Sequence, residues 1–225
     1  STSSNLKAGT YNQITGDTND LTGADAANYT LTATTEANSL TVSPKALTIA
    51  GITASNKTYN GNTTATIDVS AATFAELETG DVVTVSATGT FADQNVGTNK
   101  TVTLSVTNAG ADVANYTITN QSSTTANINR KGITVTADDQ VKTYGAANPD
   151  LTVAVTEDLT GLAAVTGSAA TTATTSTAVG SVAITEGSIT NANNANYDIT
   201  FVDGTLTINR KGITVTADDQ VKTYG

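Results

Sequence analysis

Residues 128–145 read Ile-Asn-Arg-Lys-Gly-Ile-Thr-Val-Thr-Ala-Asp-Asp-Gln-Val-Lys-Thr-Tyr-Gly, and the same 18 residues return unchanged at 208–225, an offset of 80. A chain that repeats itself at this interval folds as a series of like units. A looser copy lies earlier, as Val42-Ser43-Pro44-Lys45-Ala46-Leu47-Thr48-Ile49 followed by Lys57-Thr58-Tyr59-Asn60-Gly61. Before each copy stands the same strand text: Ala27-Asn28-Tyr29-Thr30-Leu31, Ala114-Asn115-Tyr116-Thr117-Ile118 and Ala195-Asn196-Tyr197-Asp198-Ile199.

Lys45, Lys131 and Lys211 therefore mark three boundaries, spaced by 86 and then 80 residues. They divide the sequence into the C-terminal part of one unit (1–44), a complete unit (45–130), a second complete unit (131–210) and the N-terminal strand of the next (211–225). The chain reads as a segment of a longer tandem array. Between Ile128 and Ile133, and again between Ile208 and Ile213, stands only Asn-Arg-Lys-Gly, with no Gly/Ser linker, which predicts a stiff rod. The same four residues also suit a hairpin loop, which would shift the boundary.

Within the units, period-2 alternation of apolar and hydroxyl residues decides the fold class. It runs through Leu47-Thr48-Ile49, Val82-Val83-Thr84-Val85, Val102-Thr103-Leu104-Ser105-Val106, Tyr116-Thr117-Ile118-Thr119, Ile133-Thr134-Val135-Thr136 and Leu206-Thr207-Ile208. Such text forms strands with one buried face. Turn residues fall between them at Asn60-Gly61, Thr79-Gly80-Asp81, Asn95-Val96-Gly97, Asn108-Ala109-Gly110 and Asp203-Gly204, the last reading as the clearest hairpin. The one helical candidate is 71–77, where Phe74 and Leu77 lie three apart, and that stretch suits a loop equally well. Residues 169–177 taken alone have the composition of a low-complexity tract. The expected architecture is all-β: small β-sandwich-like units, Ig-like or β-grasp-like, joined in a rod.

Composition narrows the chemistry. There is no Cys or His, so the chain offers no thiolate, no imidazole and no Cys/His metal site. Threonine fills 49 of 225 positions against seven Tyr and three Phe, so the cores are thin and built from Ala, Val, Ile and Leu. A net charge of −10 opposes nucleic acid and anionic lipid, and no apolar run is long enough to span a bilayer. A Thr-rich, acidic, Cys-free chain is expected outside a bacterial cell.

The unit 45–130 carries Lys57-Thr58-Tyr59-Asn60-Gly61, Asn95-Val96-Gly97-Thr98 and Ala114-Asn115-Tyr116. It resembles the YDG-type repeats of large bacterial extracellular proteins, with Tyr-Asn-Gly in place of Tyr-Asp-Gly. The unit 131–210, with Lys142-Thr143-Tyr144-Gly145, Val179-Gly180-Ser181 and Asn196-Tyr197, is similar to the companion YGX-type MBG repeat. The resemblance implies a mostly-β module found in tandem in adhesins and filamentous surface proteins. It brings no catalytic residues.

Single residues are read against that frame. Tyr59, Tyr116, Tyr144, Tyr197 and Tyr224, with Tyr29, are expected as the large core residues of aromatic-poor units, and a ligand-stacking role is the alternative. Gly61 and Gly145 follow as turn residues. Asp138, Asp139, Asp218 and Asp219 are weak Ca²⁺ candidates, because adjacent carboxylates on a strand point to opposite faces; Asp17, Asn19 and Asp20 form another. No other metal or cofactor is expected. Lys45, Lys131 and Lys211 beside Asn28, Asn115 and Asn196 raise the idea of isopeptide crosslinks, but no Glu recurs in register, and capping of a strand edge is the simpler role. Glu76 and Glu78 read as a solvated loop, and Asn-x-Thr/Ser sequons occur at Asn28, Asn56, Asn62, Asn99, Asn115 and Asn120.

The expected function is a non-catalytic stalk or spacer of a surface or secreted fibre. Its expected partners are neighbouring repeats and other copies in a filament. The alternative is a binding module whose Thr-rich sheet face meets a glycan, a surface or another fibre. An exposed row of Thr in register would favour the second.

Overall fold

The computed structural model describes residues 7–12 and 39–225. Its strands are β1 (Gly9–Asn12), β2 (Ser39–Val42), β3 (Lys45–Ala50), β4 (Thr53–Ala54), β5 (Lys57–Thr58), β6 (Thr64–Ala65), β7 (Ile67–Asp68), β8 (Thr73–Ala75), β9 (Thr84–Phe91) and β10 (Gly97–Ala109). They continue as β11 (Tyr116–Asn120), β12 (Ser123–Asn129), β13 (Lys131–Ala137), β14 (Gln140–Thr143), β15 (Val153–Val155), β16 (Ala170–Thr171), β17 (Gly180–Thr185), β18 (Tyr197–Val202) and β19 (Gly204–Asn209). The fold is all-β, and the alternation explains why. β3 buries Leu47 and Ile49 and exposes Thr48, while β13 buries Ile133, Val135 and Ala137.

The chain forms two compact units that are discontinuous in sequence. Among the described residues, the first takes those up to Ser55 with Thr64–Ala92 and Lys100–Ala126. The second takes Asn56–Thr63, Asp93–Asn99 and Asn127–Gly225.

In the first unit β3 is the middle of the sheet β11-β3-β8. β11 runs parallel to it, with Tyr116 opposite Lys45 and Ile118 opposite Leu47, and β8 runs antiparallel on the other side. A further sheet has the order β12-β10-β9-β6, with Val102–Ala109 of β10 antiparallel to β9. Leu47, Val83 and Tyr116 form an apolar cluster against Phe74, Leu77 and Ile118, and Phe91, Val102 and Leu104 are buried on β9 and β10.

The second unit repeats the plan. β13 is the middle of β15-β13-β18, with β18 parallel and Tyr197 opposite Lys131. Its other sheet has the order β14-β19-β17-β16, in which β14 lies parallel to β19 with Lys142 opposite Ile208. β5 pairs in the same sense with the end of β12, Lys57 opposite Ile128. Ala137 of β13, Ile184 of β17 and Leu206 and Ile208 of β19 share one core with Val153, Val182 and Phe201, so both sheets feed it.

Four sequence expectations change. Asp203-Gly204 is not a hairpin: β18 belongs to the β13 sheet and β19 to the β17 sheet, so the chain changes sheets there. The glycine is needed for close approach, because a Cβ on Gly204 would stand 2.7 Å from the Ala137 carbonyl oxygen. Residues 71–77 hold no helix; Thr73–Ala75 is β8, whose Phe74 sits opposite Ile49. The low-complexity text at 169–177 is ordered, with β16 inside it and Ala173 buried. The Asn-Arg-Lys-Gly junction is no hairpin loop either, since Arg130 alone separates β12 from β13 and the two strands pair in different sheets.

Residues 211–225 enter no ladder, and Ile213, Val215, Val221 and Tyr224 are exposed.

Side chains complete the ladders where strands stop. Beyond β15, Glu157 Oε2 accepts the Thr134 N–H of β13 at 2.7 Å, and this bond holds the Glu157 carboxyl below its ordinary range. Asp112 is likewise depressed, chiefly by accepting the Val82 N–H at 3.0 Å. A folded-state value below the unfolded one means that the stabilisation is present above about pH 4.3, the unperturbed Glu value, and is lost as pH falls through the folded value. Replacing Glu157 by Gln keeps an acceptor for Thr134 and removes the titration. Urea midpoints of Glu157→Gln measured from pH 7 downward should therefore fall less steeply below about pH 4.3 than those of the parent chain.

Candidate functional site

The Lys-Thr-Tyr text recurs because it builds the same turn each time. Pairing of β5 with β12 and of β14 with β19 sets its backbone. The Tyr59 N–H donates to the Asn129 carbonyl at 2.8 Å and the Tyr144 N–H to the Asn209 carbonyl at 2.9 Å. The lysine then holds the turn that follows. Lys57 Nζ donates to Asn62 O at 2.6 Å and to the Asn60 and Asn62 side-chain oxygens, both at 3.0 Å. Lys142 Nζ donates to Asn148 Oδ1 and Thr174 O, both at 2.7 Å, and to Ala146 O at 3.3 Å. Lys142 is buried, and each of its three donors is matched by an acceptor. Asn148 in turn donates to Ala173 O at 2.7 Å, tying the Thr-rich segment to the turn.

The Asn-Tyr text builds a second device. Tyr116 and Tyr197 open β11 and β18 and are both buried. Tyr116 donates its hydroxyl to Asp81 Oδ2 at 2.7 Å and accepts from the Glu78 N–H at 3.1 Å; burial raises its pKa, with Asp81 adding to the effect. Tyr197 donates to the Ala163 carbonyl, and burial raises its pKa too. The preceding asparagine reaches another loop. Asn115 Oδ1 accepts the Ala8 N–H at 3.1 Å in the first unit, and Asn196 Oδ1 accepts the Val96 N–H at 3.0 Å in the second. In each case the donor is the residue before the first glycine of a strand, Gly9 of β1 or Gly97 of β10.

A third feature is the outer face of β9 and β10. Thr90 lies opposite Thr103, Thr88 opposite Ser105 and Ser86 opposite Thr107, and all six are exposed. Thr84 and Thr101 extend the two rows and Thr64 of β6 stands beside Thr90. Neighbouring hydroxyls are about 5 Å apart across strands and about 7 Å along them, in an uncharged array.

The remaining predicted residues are placed as follows. Tyr59 is buried, whereas Tyr144 is 43% exposed and Tyr224 fully so. Asp138 accepts from Thr152 Oγ1 at 2.6 Å and Asp139 from the Thr205 N–H at 2.7 Å, both fastening the turn between β13 and β14. Asp218 and Asp219 are exposed, and among the described residues no three acidic side chains come together. Lys45 Nζ donates to Glu78 Oε1 at 2.7 Å and lies 3.6 Å from Glu76, contacts that raise its pKa; Glu76 and Glu78 thus serve the boundary lysine. Lys211 is exposed, and the Lys131 backbone N–H donates to Asn196 O at 3.1 Å. Asp17, Asn19, Asp20, Asn28 and Tyr29 lie outside the described residues. Among the described residues the buried polar side chains are Lys142, Asp112 and Asn194; sequence reasoning quoted Lys142 only as part of a motif and passed over the other two. For Lys142 the signal was available, since Lys-Thr-Tyr occurs at 57, 142 and 222.

These devices define a tandem β-repeat protein in which one strand plan is used twice. Comparison with protein families gives the plan its name: the YDG domain matches residues 43–126 and the MBG domain of YGX type matches 133–207. The chain carries a YDG domain followed by a YGX-type MBG domain. No curated protein matches the chain, and no solved structure does.

The clamp makes a quantitative claim. Lys142→Ala removes three hydrogen bonds made by a buried ammonium and should cost about 3 kcal/mol in urea unfolding, since hydrogen bonds to charged groups contribute about 1.5–3 kcal/mol. Lys57→Ala, at a more open turn, should cost about 1 kcal/mol.

Proposed function

We propose that the chain is a load-bearing spacer of a bacterial surface or secreted protein and catalyses no reaction. The observation that carries this reading is the parallel pairing of each opening strand with the Asn-Tyr strand, β3 with β11 and β13 with β18. Tension enters a repeat at the N-terminal end of its opening strand and leaves at the C-terminal end of β12 or β19, through which it reaches the C-terminal end of the Asn-Tyr strand. Because the two strands run the same way, that pull slides one along the other and loads all their hydrogen bonds together. A peeled hairpin would lose them one at a time.

YDG and MBG domains suit repeat proteins of the cell exterior, and the Cys-free, Thr-rich, acidic composition fits that setting. Neighbouring repeats, and other copies in a fibre, are the proposed partners.

Single-molecule pulling tests the shear clamp. The Ile199 N–H is taken by Asn191 Oδ1 at 2.7 Å, so the next amide in the strand, Thr200, turns toward β13. Thr200→Pro deletes that donor and should lower the force of one unfolding event while the other keeps its parent value. An unchanged force in a folded Thr200→Pro chain overturns the reading.

The hydroxyl array on β9 and β10 favours a second reading, in which that face binds a polysaccharide or a neighbouring fibre. Regular hydroxyl spacing suits an ordered sugar surface. Retention on an insoluble polysaccharide should then be lost in Thr103→Lys, Ser105→Lys with no change in the urea midpoint, since the face is solvent-exposed.

A further inference from the structure

In the second unit Tyr59 and Val96 are covered in a specific way. The Tyr59 ring meets the Tyr197 ring edge-on, with centroids 5.7 Å apart and planes at 90°. Its hydroxyl accepts from the Ala163 N–H at 3.4 Å, and only 2% of the residue is exposed. Gly61, two residues on, lies so close under Gly161 and Leu162 that a Cβ there would stand 2.8 Å from the Gly161 carbonyl oxygen. Beside this contact, Asn196 accepts from the Val96 N–H and donates to Asn95 Oδ1 at 3.1 Å.

Tyr144 and Val179 occupy the same positions of the plan. Tyr144 follows the strand paired with β19 as Tyr59 follows the strand paired with β12, with the same register and the same backbone hydrogen bond. Val179 precedes Gly180 of β17 as Val96 precedes Gly97 of β10, and each of those strands neighbours the strand, β19 or β12, with which the Lys-Thr-Tyr strand pairs. The turn and the Val179 segment are fastened together by the Gly145 N–H donating to Thr175 O at 3.2 Å and by Lys142 bonding Thr174 O. Yet Tyr144 is 43% exposed and Val179 49%. The two positions that are covered together at the Tyr59 turn are uncovered together at the Tyr144 turn.

We propose that the Tyr144–Val179 end is a docking surface for a further repeat, which seats on it the Ala-Asn-Tyr start of its own Asn-Tyr strand. The chemistry of the occupant follows from the covered case. Its asparagine accepts the Val179 N–H and its tyrosine, one residue on, presents a ring edge to Tyr144. A small loop such as Leu162-Ala163 closes over the turn. The asparagine-to-amide contact is also made by Asn115 with the Ala8 N–H, so it is a property of the motif. Both described Asn-Tyr pairs of this chain are already engaged, and the occupant proposed is that of an additional repeat. The inference rests on these contacts and holds whether or not the chain carries load.

The exact copy at 208–225 makes the test simple. Appending a second copy of residues 146–210 after Gly225 regenerates a full repeat with the sequence of 131–210. In this extended chain, carrying Tyr224→Phe so that the appended peptide has its own mass, the Val179 amide should become protected from hydrogen exchange, and nitration of Tyr144, read by peptide mapping, should fall several-fold. Asn→Ala at the appended counterpart of Asn196 should restore fast exchange at Val179 while circular dichroism keeps the added strand signal. A folded appended copy that leaves Tyr144 and Val179 as reactive as before overturns the proposal. An appended copy that fails to fold also overturns it, because the Tyr144 end would then not support a repeat as the Tyr59 end does. Asn196→Ala in the unextended chain checks the template: the Val96 amide should exchange faster, and unchanged protection there sinks the inference.

Discussion

Each repeat depends on one pairing, that of its opening strand with a strand more than sixty residues later. Lys45 stands opposite Tyr116, and Lys131 opposite Tyr197. A parallel pair cannot be closed by a tight turn, so everything between the two strands is the crossover that permits it. Most of the remaining sheet, the Lys-held turn and the hydroxyl face are carried on that crossover, and only β12 or β19 follows it. Closing so long a loop costs entropy that only a shared core returns, and the cores here are small.

That dependence is visible because the chain contains its own control. The text Lys-Gly-Ile-Thr-Val-Thr-Ala is a central strand with Val135 fully buried at 131–137, and the same seven residues at 211–217 are exposed and outside any ladder. Alternation of Ile, Thr and Val permits a strand; a partner on each side makes one. The all-β class and the strand positions were thus legible in the sequence, since they follow from residue period. The pairing was not, because Ile199–Val202 and Leu206–Ile208 look like two arms of a hairpin until the fold sends them to different sheets around a glycine pressed against Ala137. The Lys-Thr-Tyr and Asn-Tyr markers were legible as repeated text, and the family comparison agrees with them. What each marker does was hidden, because their hydrogen bonds join residues far apart, as Asn196 and Val96 are.

Polar side chains do much of the fastening that rings do in richer cores. Lys142 gathers three oxygens, and Asn194 donates to Thr166 O and Thr190 O while accepting the Thr166 N–H. A buried polar group that finds every partner specifies geometry more narrowly than an aliphatic contact does, and each is costly when left unmatched. With three Phe and no Trp, such networks supply definition that the apolar core lacks.

The identical openers carry a hazard for assembly. During folding, the slot beside β18 fits the segment 131–136, and by sequence it fits 211–216 as well. The second candidate is much nearer along the chain, so loop entropy alone would favour it. To lie parallel to β18, however, that segment would have to return to the Tyr197 end of the strand within the eight residues that follow Val202, and six of these form β19. The wrong opener could be seated only by stripping β19 from the core that holds Leu206 and Ile208. The shortness of one connector thus edits out misassembly that the sequence identity would otherwise invite.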